Sequence, residues 1–520
     1  MRFNLSLSQW RQLFLAVLSL LLVTVTPVAA APLAPTDTVV TNCANDVQLS
    51  NAVAAAGPTT ITFNCGAGPH TIPISTYMPV AGELIIDGGD QITLDGGGVT
   101  AFFQVFTAHS LDLRNITLQN GKFNGIHPLE NFGNLSLTHV TLQNNQTVGQ
   151  GGAVANSNTL TVRNSTFTSN VAVSTNTLAG TGGAIYLADG TATIENSSFT
   201  SNRVQGTFGT GGAIAVQNGK ATLTGNTFRN NSALDGGALY VNSNTAVTVT
   251  TSTFTENNAG YGGAIENHGQ LHVNYSTFTQ NKATTGDGGA IWGLESDLDM
   301  AYSTVSNNQA ATTGGGISCY ANTLSVIHST ISNNQSGDNG GGIYSTCNLN
   351  VTNTTLSGNK APGKGGGAIY QAGSGSGSIA AATIAGNTAT FGAGVYNDGA
   401  GSSTLSLHYT ILTSNTTGNC DGVITSLGYN LTNDNSCGAL TQTGDQKSAN
   451  VPLGPLAANG GPTLTQLPLA GNVAIDAIPA AQCSFTTDQR DVTRPQNGNC
   501  DSGAVEIVAV KLIYLPIVVK

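Results

Sequence analysis

Residues 236–261, GGALYVNSNTAVTVTTSTFTENNAGY, are followed directly by residues 262–287, GGAIENHGQLHVNYSTFTQNKATTGD, which repeat the same pattern. The glycine pair then returns every 26 residues as far as Gly366, and less regular copies precede it from Gly151 onward. An apolar residue followed three positions later by Asn recurs in step, as in FTEN and FTQN of the two units. A fixed period of this length indicates a solenoid, in which each unit buries its apolar face by stacking on its neighbours.

The composition of the repeat indicates strands rather than helices, because Thr and aromatic residues favour strands while Gly and Asn mark turns. Each unit holds two or three short alternating segments, as at residues 184–187, 191–194 and 198–199. We therefore predict an all-β fold, a parallel β-helix. The aliphatic residue after each glycine pair is expected to point inward. The recurrent Asn is expected to adopt a left-handed conformation and to form side-chain ladders between coils.

The first 31 residues have the features of a signal peptide: Arg2 and Arg11 accompany an apolar core that ends in small residues. The alternative is a membrane anchor, but the apolar run is shorter than the ~20 residues that a membrane-spanning helix needs. We therefore predict export, an extracellular or cell-surface location, and no transmembrane span in the mature chain.

Changes in pattern divide the rest of the chain into four parts. Residues 32–80 are predicted to cap the N-terminal end, with a short amphipathic helix within residues 46–56. Residues 81–415 carry the β-helix repeats, and residues 416–508 form a small C-terminal module that holds four of the cysteines. The apolar tail, residues 509–520, is either a sorting signal or a last strand.

The cysteines fall into couples that are adjacent in sequence, which suggests disulfides in an exported chain. No Cys-x-x-Cys spacing supports a zinc site. Cys319 and Cys347 lie within the repeats, on neighbouring coils but two positions out of register, so the spacing supports their pairing least. The predicted pairs are Cys43 with Cys65, Cys319 with Cys347, Cys420 with Cys437, and Cys483 with Cys500.

The charge balance argues against nucleic acid and anionic lipid as partners. The chain has 16 Lys and Arg against 27 Asp and Glu, and charged residues make up only 8% of it. Such a surface offers little to neutralise phosphate groups. The low charge does not indicate disorder, because the apolar residues are numerous and regularly spaced.

A column of aromatic residues follows the inward aliphatic position. Strand alternation turns this position outward, and parallel coils bring its members into one exposed stripe. Aromatic faces can bind sugar rings, but aromatic ladders also simply stabilise parallel sheets. The candidate glycan-binding residues are Tyr186, Tyr240, Trp292, Tyr344, Tyr370 and Tyr396.

A second candidate site consists of Glu295, Asp297 and Asp299, whose spacing places three carboxylates on one face of a strand. Oxygen ligands of this kind suit Ca²⁺, the one cofactor that the sequence suggests. The alternative is a solvated edge, where like charges protect an exposed surface.

The GGAI and FxxN units resemble the repeats of polymorphic outer-membrane proteins and of related right-handed β-helix surface proteins, over roughly residues 80–415. The segments LGYNL at 427–431 and DSGAVE at 501–506 are similar to the choice-of-anchor module of bacterial surface proteins. These resemblances imply a right-handed β-helix outside the cytoplasm and a C-terminal role in display or attachment.

Two functions follow as hypotheses. The first is a non-catalytic surface protein, namely an adhesin, a matrix component or a glycan-binding stalk, whose partner is a polysaccharide or an envelope component. The second is a polysaccharide lyase or glycoside hydrolase, for which residues 266–269, ENHG, offer only a weak motif. Partly buried carboxylates clustered with a basic group in one groove would favour the enzyme.

Overall fold

The computed structural model describes residues 36–55, 59–122 and 127–508. The predicted signal peptide and the apolar tail lie outside the described residues. Nearly all regular secondary structure of the described residues is strand, and these strands form a parallel β-helix of about 15 turns. This confirms the predicted fold class.

Each coil carries strands on three faces, and every strand pairs in parallel with the same face of the next coil. In one coil these strands are Leu239–Val241, Ala246–Thr250 and Thr253–Thr255. Leu239 pairs in register with Ile265, one sequence period further on. The period of the sequence is therefore the length of one coil.

The bounds of the strands follow the three faces. First-face strands are Met78–Val80, Phe103–Val105, Leu129–Asn131, Val154–Asn156, Ile185–Leu187, Ile214–Val216, Leu239–Val241, Ile265–Asn267, Ile343–Ser345, Ile369–Gln371, Val395–Asn397 and Cys420–Gly422. Second-face strands are Thr36–Val40, Thr59–Phe63, Thr159–Arg163, Thr191–Glu195, Lys220–Thr224, Ala246–Thr250, Gln270–Asn274, Asn348–Thr352, Ser376–Ala380, Thr404–His408 and Thr425–Ser426. Third-face strands are His70–Pro73, Thr166–Thr168, Ser198–Thr200, Thr227–Arg229, Thr253–Thr255, Thr277–Thr279, Thr304–Ser306, Thr330–Ser332, Thr355–Ser357, Thr383–Ala385, Ile411–Thr413 and Leu431–Thr432.

Some strands run through two faces without a break. They are Glu83–Asp95, Ser110–Gln119 and Asn134–Gln143 on the second and third faces, and Ile291–Ala301 and Ile317–Ile327 on the first and second.

Shorter strands lie between the third face and the next glycine corner. They are Gln146–Val148, Val171–Val173, Gly180–Thr181, Arg203–Gln205, Gly209–Thr210, Asn258–Ala259, Lys282–Ala283, Gln309–Ala310, Gln335–Ser336, Lys360–Gly365 and Thr388–Phe391. Ile478–Pro479 and Asn499–Cys500 form an antiparallel pair. The helical segments are Val47–Ala54 and two short 3₁₀ turns, Ala400–Ser402 and Ala480–Gln482.

The core is built of columns in which one position of every coil stacks on the same position of the next. The aliphatic residue at the second position after the glycine pair is fully buried in every coil from Val154 to Val395, as predicted. On the third face the rings of Phe167, Phe199, Phe228, Phe254 and Phe278 stack with centroids 4.5 to 4.9 Å apart. That spacing equals the distance between parallel strands, so rings and backbone keep one register.

The recurrent Asn forms the predicted ladder. The side chain of Asn257 donates from Nδ2 to Asn281 Oδ1 at 2.9 Å and to the Phe228 carbonyl at 3.0 Å. Its Oδ1 accepts from the backbone N–H and the side chain of Asn231, each at 3.0 Å. The predicted left-handed conformation was wrong for the ladder Asn and belongs to the residue before it, such as Glu256 with φ +57°.

The glycine pair makes the tight corner that was predicted. Gly288 has φ +67°, and a Cβ there would lie 2.4 Å from the carbonyl oxygen of Ile291. A Cβ on Gly289 would lie 2.0 Å from the carbonyl oxygen of Gly315 in the next coil. Both positions therefore exclude any side chain, which explains why the pair recurs so strictly.

At both ends the β-helix extends beyond the predicted bounds, residues 81–415. Thr36–Val40 already pairs in parallel with Thr59–Phe63, so parallel pairing begins within the segment predicted as the N-terminal cap. At the other end Cys420–Gly422 pairs with Val395–Asn397 beyond residue 415. The expected helix forms at Val47–Ala54, with Leu49 and Val53 buried, but Val47 is 60% exposed and does not point inward as expected.

The C-terminal segment folds back along the third face of the β-helix. Tyr302 donates to Asp491 at 2.9 Å, and Gln489 Nε2 donates to the Ser329 carbonyl at 2.9 Å. Further along, the backbone N–H of Ala504 donates to Thr383 Oγ1 at 3.0 Å. We call residues 463–508 the C-terminal clasp.

All four predicted disulfides are present, with Cα atoms 4.8 to 6.0 Å apart. Cys319 and Cys347 join neighbouring coils, although strand register pairs Cys319 with Ser345. Within the described ranges, no helix has both the length and the apolar character needed to cross a membrane.

Candidate ligand-binding site

The predicted aromatic column exists in register, but it is not a flat exposed stripe. Tyr344 pairs with Tyr370, and Tyr370 with Tyr396. Tyr186 is only 8% exposed, so its predicted outward exposure was wrong. The other five candidates are half-buried. The column is also interrupted, because in other coils the position holds Ala215, Glu266 and Ser318.

A second column, which was not predicted from the sequence, lies across the glycine corner from the first. It consists of the residue directly before each glycine pair, and it continues from coil to coil through backbone hydrogen bonds such as Gly262 N–H to the Asp287 carbonyl at 3.0 Å. The same 26-residue period, read one position earlier, would have identified it. Its members include Asp235, Tyr261, Asp287, Thr313 and Phe391.

The two columns, together with Tyr320, whose ring contacts Tyr344, form what we call the outer strip. It contains the half-buried rings Tyr240, Tyr261, Trp292, Tyr320, Tyr344, Tyr370, Phe391 and Tyr396, and the carboxylates Asp235, Glu266 and Asp287.

The rings of the outer strip are continuous toward its C-terminal end. The centroids of Tyr344 and Tyr370 are 5.6 Å apart and those of Tyr370 and Tyr396 are 4.8 Å apart. Phe391 meets Tyr396 edge-on at 4.9 Å. These distances lie in the range of favourable aromatic pairs. Four rings from three coils therefore make one platform.

The electrostatic environment of this platform is acidic. Burial raises the pKa of Tyr370 to about 12, and the carboxylate of Asp398 adds to the shift. The pKa of Tyr396 is raised by burial and by Asp421. Near neutral pH these phenols keep their protons and serve as hydrogen-bond donors beside carboxylates.

Asp287 is fully engaged by its neighbours. It accepts from the backbone N–H and the hydroxyl of Thr313, each at 2.8 Å, from Tyr320 at 2.8 Å, and from the Thr312 hydroxyl. A carboxylate with this many donors has little capacity left for a ligand. We assign Asp287 a structural part in the outer strip.

Glu266 is different, because it is buried and only half satisfied. Its side chain is on the first-face strand Ile265–Asn267 and is 4% exposed. Oε1 lies 2.6 Å from His268 Nε2, whereas Oε2 has no hydrogen-bond partner among the described residues. Burial raises the pKa of Glu266 to about 7; the hydrogen bond with His268 opposes the shift and the charge of Asp235 adds to it.

Three further groups surround Glu266. Burial raises the pKa of Asp235, against the opposing effect of His268. Trp292 is the register partner of Glu266 in the next coil, and its ring contacts the tilted ring of Tyr261, with the centroids 4.7 Å apart. Trp292 Nε1 is buried, with no acceptor among the residues that the structure describes. The Glu266 group therefore holds a free acceptor and a free donor on neighbouring coils.

The three candidate calcium ligands are not gathered into one group. Glu295 has φ +51°, so the strand alternation that would align it with Asp297 and Asp299 is broken there. Asp297 accepts from Thr323 at 2.6 Å, and Asp299 lies 3.1 Å from His272. Within the described part of the chain, no set of three or more His, Cys, Asp or Glu side chains is arranged to hold a metal ion. Calcium binding stays a prediction.

An open depression of about 470 Å³ adjoins the Glu266 group. Its lining includes Lys220, His268, Glu295 and Asp297. His268 therefore faces the depression and also contacts Glu266.

Comparisons with known proteins agree with this architecture. The family model described as "Right handed beta helix region" matches residues 171–356. The model described as "Chlamydia polymorphic membrane protein (Chlamydia_PMP) repeat" matches residues 353–372. No curated protein and no solved structure matches the chain. The chain is thus similar to right-handed β-helices and to the repeats of polymorphic membrane proteins.

Proposed function

We propose that this protein is a non-catalytic, surface-located β-helix that binds a glycan through the outer strip. The observation that carries the proposal is the platform of Tyr344, Tyr370, Tyr396 and Phe391, whose rings are half-buried and in mutual contact. Aromatic rings combine a large apolar surface with a polar edge, which suits a ligand that carries both C–H faces and hydroxyls.

The surface location is supported by the two family-model matches, since repeats of polymorphic membrane proteins indicate a surface or outer-membrane-associated protein. The low content of charged residues, 8%, fits a long scaffold that presents one strip to a partner. An adhesin, a matrix component and a glycan-binding stalk would each present such a strip to a partner.

A glycan array followed by calorimetry on the best ligand tests the proposal. The double variant Tyr344→Ala/Tyr370→Ala should bind that ligand at least about ten-fold more weakly, which corresponds to about 1.4 kcal/mol. Tyr275→Ala is the matched control, because Tyr275 is an exposed tyrosine that stacks on Tyr302 away from the outer strip. Equal affinity in the double variant and the control would refute binding by the platform.

Glycoside hydrolysis is the second candidate, and the Glu266 group is the observation that favours it. A buried carboxyl with a pKa of about 7 beside a second carboxyl, Asp235, and a histidine is a typical environment of a general acid. If the protein releases reducing ends from a panel of neutral polysaccharides, and Glu266→Gln abolishes that release, the function is hydrolysis rather than binding. We expect no release.

A further inference from the structure

The outer strip holds one hydrogen-bond acceptor and one donor, on neighbouring strands, that are both unpaired. Glu266 Oε2 can only accept a hydrogen bond when the carboxyl is ionised, and Trp292 Nε1 can only donate one. Both are buried and lack a partner among the described residues. Their residues are register partners in adjacent strands, so their Cα atoms are one strand spacing apart.

Buried polar groups are rarely left unpaired, because each lost hydrogen bond costs free energy. Asp287, another carboxylate of the outer strip, accepts from four donors, and Oε1 of Glu266 is held by His268. The unpaired atoms are therefore one carboxylate oxygen and one indole N–H, and a group that both donates and accepts would pair with them.

We infer that Glu266 Oε2 and Trp292 Nε1 form a hydroxyl-binding subsite that seats one uncharged sugar ring of the glycan on the outer strip. The inference rests on the proposed function and names its ligand class. A sugar hydroxyl donates a hydrogen bond to Glu266 Oε2 and accepts one from Trp292 Nε1, so a single group pairs with both atoms. Tyr240 and Tyr261, half-buried rings of the repeat before that of Glu266, lie beside the subsite.

The charges around the strip select an uncharged ring over a uronate. The electrostatic neighbours that act on Tyr240 are Glu266 and Asp235, and those that act on Tyr344 are Asp287 and Asp398. When these carboxyl groups are ionised, a carboxylated sugar meets like charge at each of these points, in a setting where burial weakens screening.

Titration of one indole signal tests the subsite directly. The full chain has two tryptophans, Trp10 and Trp292, and Trp10 lies in the predicted signal peptide, so ¹⁵N-indole labelling with Trp292→Phe identifies the Trp292 signal. The probes are neutral hexasaccharides of glucose, mannose and galactose, with hexagalacturonate as the charged probe. We expect one neutral hexasaccharide to shift the Trp292 signal and to bind at least ten-fold more tightly than hexagalacturonate.

Two variants complete the test. Glu266→Gln preserves the side-chain shape, and Trp292→Phe preserves an aromatic face. Each variant should bind the neutral hexasaccharide about ten-fold more weakly and keep a thermal midpoint close to that of wild type. If both variants bind like wild type while Tyr344→Ala/Tyr370→Ala loses binding, the subsite is refuted and the platform stands. No binding of any hexasaccharide would refute both, and preference for hexagalacturonate would refute the ligand class.

Discussion

At the scale of single residues, two neighbours on one strand differ completely in environment. Leu223 is fully buried in the core, whereas Thr222 beside it is exposed on the second face. We expect Leu223→Asp to lower the free energy of unfolding by several kcal/mol, about 3 or more, because the carboxylate finds no partner in the column. Thr222→Asp should change it by less than about 0.5 kcal/mol. Chemical denaturation measures both, and similar losses would mean that the faces are assigned wrongly.

Glu266 gives the molecule a pH-dependent stability. Its pKa rises from 4.5 to about 7 on folding, so between these values the folded chain keeps a proton that the unfolded chain has released. Stability should therefore fall as the pH rises through this window, by on the order of 3 kcal/mol in all. Glu266→Gln should remove that part of the fall, whereas Glu295→Gln, at an exposed side chain, should not. Thermal midpoints from pH 4 to pH 8 decide this; parallel curves for wild type and Glu266→Gln would contradict it.

At the scale of the structural element, the asparagine ladder holds the corner between the third face and the next coil. Asn257 makes four side-chain hydrogen bonds, to Phe228, Asn231 and Asn281. Replacing it with Ala leaves several buried groups unpaired, so we expect a loss of at least about 3 kcal/mol. Asn258→Ala is the matched control, because that neighbouring side chain is exposed. Equal denaturation midpoints for the two variants would show that the ladder contributes nothing to stability.

At the scale of the whole molecule, the C-terminal clasp joins distant parts of the chain. Gln489 is fully buried; it donates to the Ser329 carbonyl and accepts from Thr355 at 2.6 Å. Within the clasp Arg490 pairs with Asp488 at 2.7 Å and Arg494 with Glu506 at 3.2 Å, so these arginines lie in ion pairs as their acidic neighbours indicate.

The clasp should open before the β-helix when Gln489 is removed. In Gln489→Ala the Ser329 carbonyl and the Thr355 hydroxyl stay buried but lose their hydrogen bonds to Gln489. Residues 463–508 should therefore lose hydrogen-exchange protection at least ten-fold more than the coils. Gln482→Ala changes an exposed side chain of the same segment and should leave exchange as in wild type. Uniform loss of protection over the coils and the clasp would show that the two unfold as one unit.

The repeat pattern was sufficient to predict the structure of one coil. Contacts between neighbouring coils recur at one fixed sequence offset, so the inward aliphatic column, the asparagine ladder and the glycine corner could all be read from the 26-residue period. The disulfides followed as well, because each joins cysteines that are close in sequence. The left-handed position was displaced by one residue, since the ladder occupies the side chain of Asn while the bend falls just before it.

The exposure of the outward positions and the place of the C-terminal segment could not be predicted from the repeat and depend on the folded chain. Alternation turns Tyr186 and Tyr344 to the same side, yet one is buried and the other half-buried, because the cover comes from groups outside the strand. The half-satisfied state of Glu266 likewise depends on His268, Asp235 and Trp292 together. The contact between Thr355 and Gln489 spans 134 residues and follows no period. Such contacts leave no regular spacing in the sequence, so only the folded chain reveals them.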